Sequence, residues 1–147
     1  MTTSFEHDYS LQHLQKIRVK GAEFELYVSP RFIPHYSGND YEAVTALISR
    51  FRARKVHTFI DVGAHYGFFS VLVAHANPDC RIFAFEPIPV NYEILRKNIE
   101  LNGLRHVRLF QSAVSNRNGS AVFQVSAAFD NSGFLANPAA GILQDIT

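Results

Sequence analysis

The chain has 147 residues, 47% of them hydrophobic and 18% charged, the size and balance of one globular domain with a buried core. Fourteen basic and 13 acidic side chains leave a net charge of +1, which gives no electrostatic case for a nucleic-acid partner or an anionic membrane. One cysteine, Cys80, excludes an intramolecular disulfide. No stretch is apolar for the length of a membrane span, and MTTSFEHDYS lacks the basic-then-apolar pattern of a signal peptide, so the expectation is a soluble, cytoplasmic protein.

Residues 1–14 are polar. Over 15–28 apolar residues alternate, Ile17 and Val19, then Phe24, Leu26 and Val28, around Lys20-Gly21, which predicts a β-hairpin ended by Pro30 and Pro34. SGND at 37–40 starts a helix over 40–54, with Asn39 and Glu42 at capping-box spacing and Val44, Leu47, Ile48 and Phe51 on one stripe. A strand over 56–62 follows, then a glycine-bearing turn, then a helix over 68–75 stopped by NPDC. The run 81–85 reads as a buried strand closed by Glu86, and PIP at 87–89 as a turn into a helix over 90–101, which buries Val90, Ile94, Leu95 and Ile99. Asn102-Gly103 stops that helix. A third strand covers 106–114, and Asn118-Gly119 predicts a tight hairpin turn into a strand over 121–125. Beyond 125 the chain is small and polar with no clear element, and no internal repeat is present.

Strands alternating with helices imply a parallel sheet with right-handed crossovers, an α/β fold whose ligands bind at the carboxyl ends of the strands. Asp61 to Gly67, Glu86 and Ser112 all fall at those ends. In FIDVGAHYGFFSVLVAHAN, Gly63 and Gly67 permit a sharp turn and close ligand approach, and the turn feeds a helix N-terminus. Glu86 lies 19 residues after Gly67, where an acid can accept hydrogen bonds from ribose hydroxyls. The plainer alternative makes Asp61 a helix cap and Glu86 a solvated strand end; the correctly spaced pair favours the nucleoside site. A dinucleotide fingerprint would place glycines at 65 and 68, where His65 and Phe68 stand, and no Gly-Lys-Ser/Thr run follows. The pattern Asp-x-Gly-x-x-x-Gly suits a phosphate-free ligand with an adenosine and an amino-acid end. S-adenosyl-L-methionine has that shape.

The run DVGAHYGFFS, RIFAFEPIPVNYEILRKNIELNGL and VRLFQSAVSNRNG closely resembles the FkbM-type S-adenosylmethionine-dependent methyltransferases over residues 56–125. The resemblance implies a Rossmann-like class I methyltransferase sheet, here preceded by a β-hairpin and helix. It also implies that Asp61, Gly63, Ala64 and Gly67 line the methionine end of the cofactor, Glu86 holds the ribose, Pro87 and Ile88 flank the adenine, and Ser112 and Ala113 approach its polar edge. His65 stands where the family usually has Asn, and reads as a turn side chain contacting solvent or cofactor. DNSG, from Asp130 to Gly133, is similar to the family's Asn/Gly-rich segment near the substrate mouth. The implied reaction is methyl transfer to a hydroxyl of a small molecule or saccharide, with in-line positioning as the main source of rate.

No general base can be assigned. The family's later Leu-Asp and Lys-x-Asp-x-Glu-Gly segments are not found before GILQDIT, so the chain reads as truncated, an N-terminal half with an open sheet edge beside its first core strand. The expected division is a tail and hairpin over 1–36 and a partial S-adenosylmethionine-binding domain over 37–147. A missing C-terminal half or a homo-oligomer would complete the sheet; neither nucleic acid nor membrane is expected as a partner. The seven histidines show no metal-ligand spacing, the phenylalanines at 59, 68, 69, 83 and 85 read as core, and the basic run 50–55 as a solvated helix end. The rival readings are a non-catalytic fragment and another nucleotide-dependent Rossmann enzyme with a degenerate turn.

Overall fold

The structure is a computed structural model that describes residues 11–37, 41–116, 119, 121–125, 133–134 and 142–146. The alternation near the N-terminus produces the hairpin: β1 (Gln15–Arg18) and β2 (Glu25–Val28) pair antiparallel with Gln15 opposite Val28. Val19, Phe24, Leu26 and Val28 face inward and are buried, while Lys16 and Glu25 pair at 3.2 Å outside. The two prolines do more than end the hairpin. Proline's fixed φ suits a first helical turn: Pro30 opens a 3-10 turn over Pro30–Phe32, and Pro34 sits in the first turn of α1 (Ile33–Ser37). Helix α2 (Tyr41–Arg54) buries Ile48 and partly buries Val44, Leu47 and Phe51, the predicted stripe. Its expected cap, Asn39, lies outside the described residues.

The central unit is β3 (Thr58–Val62), α3 (Phe68–Ala76), β4 (Arg81–Phe85), α4 (Pro89–Leu101) and β5 (Val107–Phe110). The strands form a parallel sheet in the order β3-β4-β5. Helix α3 is apolar nearly all round and buries six of its nine residues, as a core helix must. Ile82, Ala84 and Val107 lie on the buried face of the sheet. On the other face Ile60 is 61% and Val62 58% exposed, so among the described residues that face is open. Among the described residues β3 lies at one side of this sheet.

Two further expectations change. β5 ends at Phe110, four residues short of the predicted strand end. The strand β6 (Ala121–Val125) forms, but it pairs with β7 (Gly133–Phe134) and β8 (Ile142–Ile146) in a separate antiparallel sheet ordered β7-β6-β8. The ten residues 111–120 between β5 and β6 are too many for a two-residue hairpin turn, and ILQDI supplies an alternating partner that the polar reading of the C-terminal stretch overlooked. Of the DNSG segment only Gly133 falls within the described residues, in β7; Asp130 lies outside them.

Two asparagines of α4 tie the hairpin to this unit. Asn98, fully buried, accepts from the Tyr27 N–H at 2.6 Å and donates to the Tyr27 carbonyl at 3.0 Å, so its amide acts as one residue of a neighbouring strand. One turn later Asn102 does the same for Glu25, accepting at 3.4 Å and donating at 2.8 Å. Edge groups of β2 are thereby satisfied by side chains.

Candidate cofactor site

Parallel pairing brings the carboxyl ends of β3, β4 and β5 together, and the turn 63–67 is fastened there by backbone bonds. The Gly63 and Ala64 N–H groups both donate to the Phe85 carbonyl at 2.9 Å, and the Glu86 N–H donates to the Phe110 carbonyl at 3.0 Å. The His65 N–H donates to Glu86 Oε2 at 2.8 Å, and the Gly67 N–H to the Ala64 carbonyl at 2.8 Å. Four amides of the turn are therefore committed to the protein itself. A phosphate-binding turn aims such amides at its ligand; this one does not.

Within this turn the positive-φ positions are Gly63 at +76°, His65 at +52° and Gly67 at +84°. The two glycines differ in their surroundings. A Cβ on Gly63 would meet nothing within 4 Å, which leaves open space above the turn, whereas a Cβ on Gly67 would lie 2.5 Å from Leu95 Cδ1. Gly63 thus lines a free surface, and Gly67 is required for packing on α4.

Asp61 is buried at the end of β3, and Ser70 Oγ donates to its Oδ2 at 2.6 Å. The Ser70 backbone N–H bonds to it as well. Gly67 is the N-cap of α3 and has no side chain to offer, so Asp61 caps the helix from the neighbouring strand. Burial raises the Asp61 pKa, and the Ser70 bonds oppose that rise. Glu86 is 3% exposed, so the strand-end acid is not solvated. Its Oε1 accepts from the Ile88 N–H at 2.9 Å and Asn91 Nδ2 at 3.5 Å, and its Oε2 from His65. A carboxylate has about four acceptor positions, so about one is left for a ligand. Its pKa is raised, chiefly by burial and slightly by Asp61, against the three hydrogen bonds. The donors named here for both acids are all neutral groups.

The other expected positions are less equal. Ala64 is buried and belongs to the hydrophobic core cluster. Pro87 and Ile88 are buried where β4 passes into α4, Ile88 as the helix N-cap. Ser112 and Ala113 are half-buried just beyond β5. His65 differs most from its reading. Its ring stacks on Tyr66 at 4.0 Å, meets Phe32 edge-on at 5.0 Å, and places Nδ1 3.4 Å from the Tyr36 hydroxyl. Burial lowers its pKa to about 4 and raises that of Tyr36 to about 12. The ring thus packs in an aromatic cluster with Phe32, Tyr36 and Tyr66. Sequence reasoning also missed Phe32 and Tyr36, which cover the turn from outside the central unit, and Asn91, whose Oδ1 is buried without a partner. The signal for Asn91 is its place five residues after Glu86, in the first turn of α4.

The described elements form a Rossmann-like α/β fold, one shared with solved structures of which this chain covers 39% or less. Among solved structures the chain is similar to P. horikoshii TYW2 in complex with MeSAdo, with a TM-score of 0.54 and 16% identity over 74% of this chain and 39% of that one. It is also similar to the SAM-dependent methyltransferase from Agrobacterium tumefaciens, with a TM-score of 0.50 and 14% identity over 71% of this chain and 34% of that one. Among curated proteins it is 39% identical over 62 residues to methyltransferase sdnD of Sordaria araneosa, which is 42% of this chain and 24% of that protein. The match thus spans about a quarter of that relative's length. No family model matches the chain.

Proposed function

We propose that this chain provides the cofactor-binding half of an S-adenosylmethionine-dependent methyltransferase of the FkbM type, acting on a hydroxyl of a small molecule or saccharide. One observation carries the reading. The glycine turn commits its amides internally and stands beside two buried carboxylates, Asp61 and Glu86, whose hydrogen bonds come from neutral donors. Such an edge repels phosphates and attracts a cation-bearing nucleoside, because an opposite charge stabilises buried carboxylates. The sequence match to a methyltransferase of Sordaria araneosa supports the same reading.

The residues fit that cofactor. Space is open over Gly63, Glu86 keeps an acceptor position for a ribose hydroxyl, and the buried Asn91 Oδ1 has no partner. Asp61, Gly63, His65 through its backbone, and Gly67 would frame the amino-acid end. Glu86, Pro87 and Ile88 would frame the ribose and adenine, with Ser112 and Ala113 at the outer edge. Bound there, the cofactor supplies an electrophilic methyl group on a sulfonium. This chain's contribution is to hold and orient it. His65 stays neutral near pH 7 and faces its aromatic neighbours, so we assign it no general-base role.

Calorimetric titration tests the reading. S-adenosylhomocysteine is expected to bind, Glu86→Ala to abolish that binding, and NAD not to bind. NAD binding without S-adenosylhomocysteine binding would sink the assignment. Binding of neither would favour the non-catalytic fragment.

A further inference from the structure

At the opposite end of the sheet, the amino-terminal ends of β4 and β5 border an open pocket of about 310 Å³ lined by Arg81, Ile82, Phe83, Arg105, His106 and Arg108. From Arg81 to Phe85 the strand runs about 13 Å, so this pocket is separate from the cofactor edge. Three arginines line it and no acid does, in a chain whose whole net charge is +1.

Neutral partners hold two of the guanidinium groups. Arg81 Nη2 donates to Thr58 Oγ1 at 3.3 Å, and the Arg108 guanidinium lies over the Phe83 ring at 5.9 Å. The register places Phe83 opposite Arg108 and Thr58 opposite Arg81, so both guanidiniums rise from the open face of the sheet. Arg105 enters from the loop before β5. Glu100, which shares a neighbouring pocket with Arg105, is itself bound to Arg96 at 2.6 Å. Among the described residues none of the three arginines has a carboxylate partner.

We propose that this pocket binds a small phosphate-bearing ligand, a phosphomonoester or diphosphate. Arginine keeps its charge at all working pH values and grips phosphate oxygens two at a time. Three such groups around one space repel each other until an anion enters. The pocket is at the small end of ligand sites, which run from about 300 Å³ upward. A nucleic-acid backbone would need a basic stripe beyond the pocket, and the near-neutral chain argues against one.

The test titrates the full chain with inorganic pyrophosphate at low salt and, separately, with a single-stranded RNA oligonucleotide. Saturable pyrophosphate binding is expected, weakening as salt is added. Arg105→Ala, in an exposed loop outside the sheet, should weaken it about tenfold, and Arg105→Ala with Arg108→Gln further, while the far-ultraviolet circular dichroism is unchanged. Absent pyrophosphate binding, or binding that Arg105→Ala leaves unaltered, would overturn the proposal. So would RNA binding tighter than pyrophosphate binding and lost in the same variants, which would reassign the pocket to a nucleic-acid backbone. None of these readouts depends on S-adenosylhomocysteine binding, so the cofactor reading stands or falls separately.

Discussion

Asn98 donates from one amide nitrogen to both the Tyr66 carbonyl, at 2.8 Å, and the Tyr27 carbonyl, at 3.0 Å. A single side chain of α4 thus joins the turn at the cofactor edge to the N-terminal hairpin. Asn98→Ala strands three backbone groups, the Tyr27 N–H and the two carbonyls, at a fully buried position. The expected loss of stability is about 3 kcal/mol, seen as a lower urea midpoint at an unchanged m-value. Asn98→Asp keeps the acceptor and loses the donor, so it should rescue little.

The two glycines of the turn should respond differently to alanine. Gly67→Ala puts a methyl group 2.5 Å from Leu95 Cδ1 at a φ of +84°, and should cost about 2–3 kcal/mol. Gly63→Ala meets no atom within 4 Å and should cost only the backbone strain of about 1 kcal/mol. If Gly63 faces the cofactor, its alanine variant should lose S-adenosylhomocysteine affinity out of proportion to that cost. Urea denaturation and calorimetry, run on both variants, separate the two effects.

The buried imidazole makes stability depend on pH. His65 has a folded pKa of about 4 against an ordinary value of 6.5, so between these values the unfolded chain binds more protons than the folded one. Its contribution is present above pH 6.5 and is lost as pH falls toward 4, by about 2 kcal/mol once its partial exposure is allowed for. Asp61 and Glu86, whose folded pKa values are raised, act in the opposite direction: each stabilises the fold below its ordinary pKa and loses that contribution as pH rises through its folded value. The His65 part is isolated by subtracting the curve of His65→Asn, a residue that accepts the φ of +52°. A difference that does not change between pH 7 and pH 4.5 would contradict the burial of the ring.

Glu86→Gln tests the second acid more gently than truncation. One amide end would turn a donor toward the His65 N–H or the Ile88 N–H, so stability should fall by about 1–2 kcal/mol. S-adenosylhomocysteine affinity should fall at least about tenfold, since the charge and the last acceptor position go together. A Gln variant that binds the cofactor like the parent would show that Glu86 only holds the turn.

The sequence by itself determined the parts whose causes are local. Alternation set the hairpin, apolar runs set β3 and β4, and Asn102-Gly103 stopped α4, with Gly103 at a φ of +65°. The spacing of Asp61, the glycines and Glu86 was likewise enough to bring both acids to one sheet edge. Only the tertiary structure decided how those groups are used. Asn98 and Asn102 find their partners 71 and 77 residues away, a distance no window along the chain can span. His65 looked free for solvent or ligand until Phe32 and Tyr36, from beyond the hairpin, packed against it. β6 chose β8 over β5 because strand pairing depends on which edges meet in space, and a turn signal between two strands does not make them neighbours. Local sequence fixes what each segment can form; burial and long-range hydrogen bonding assign the partners.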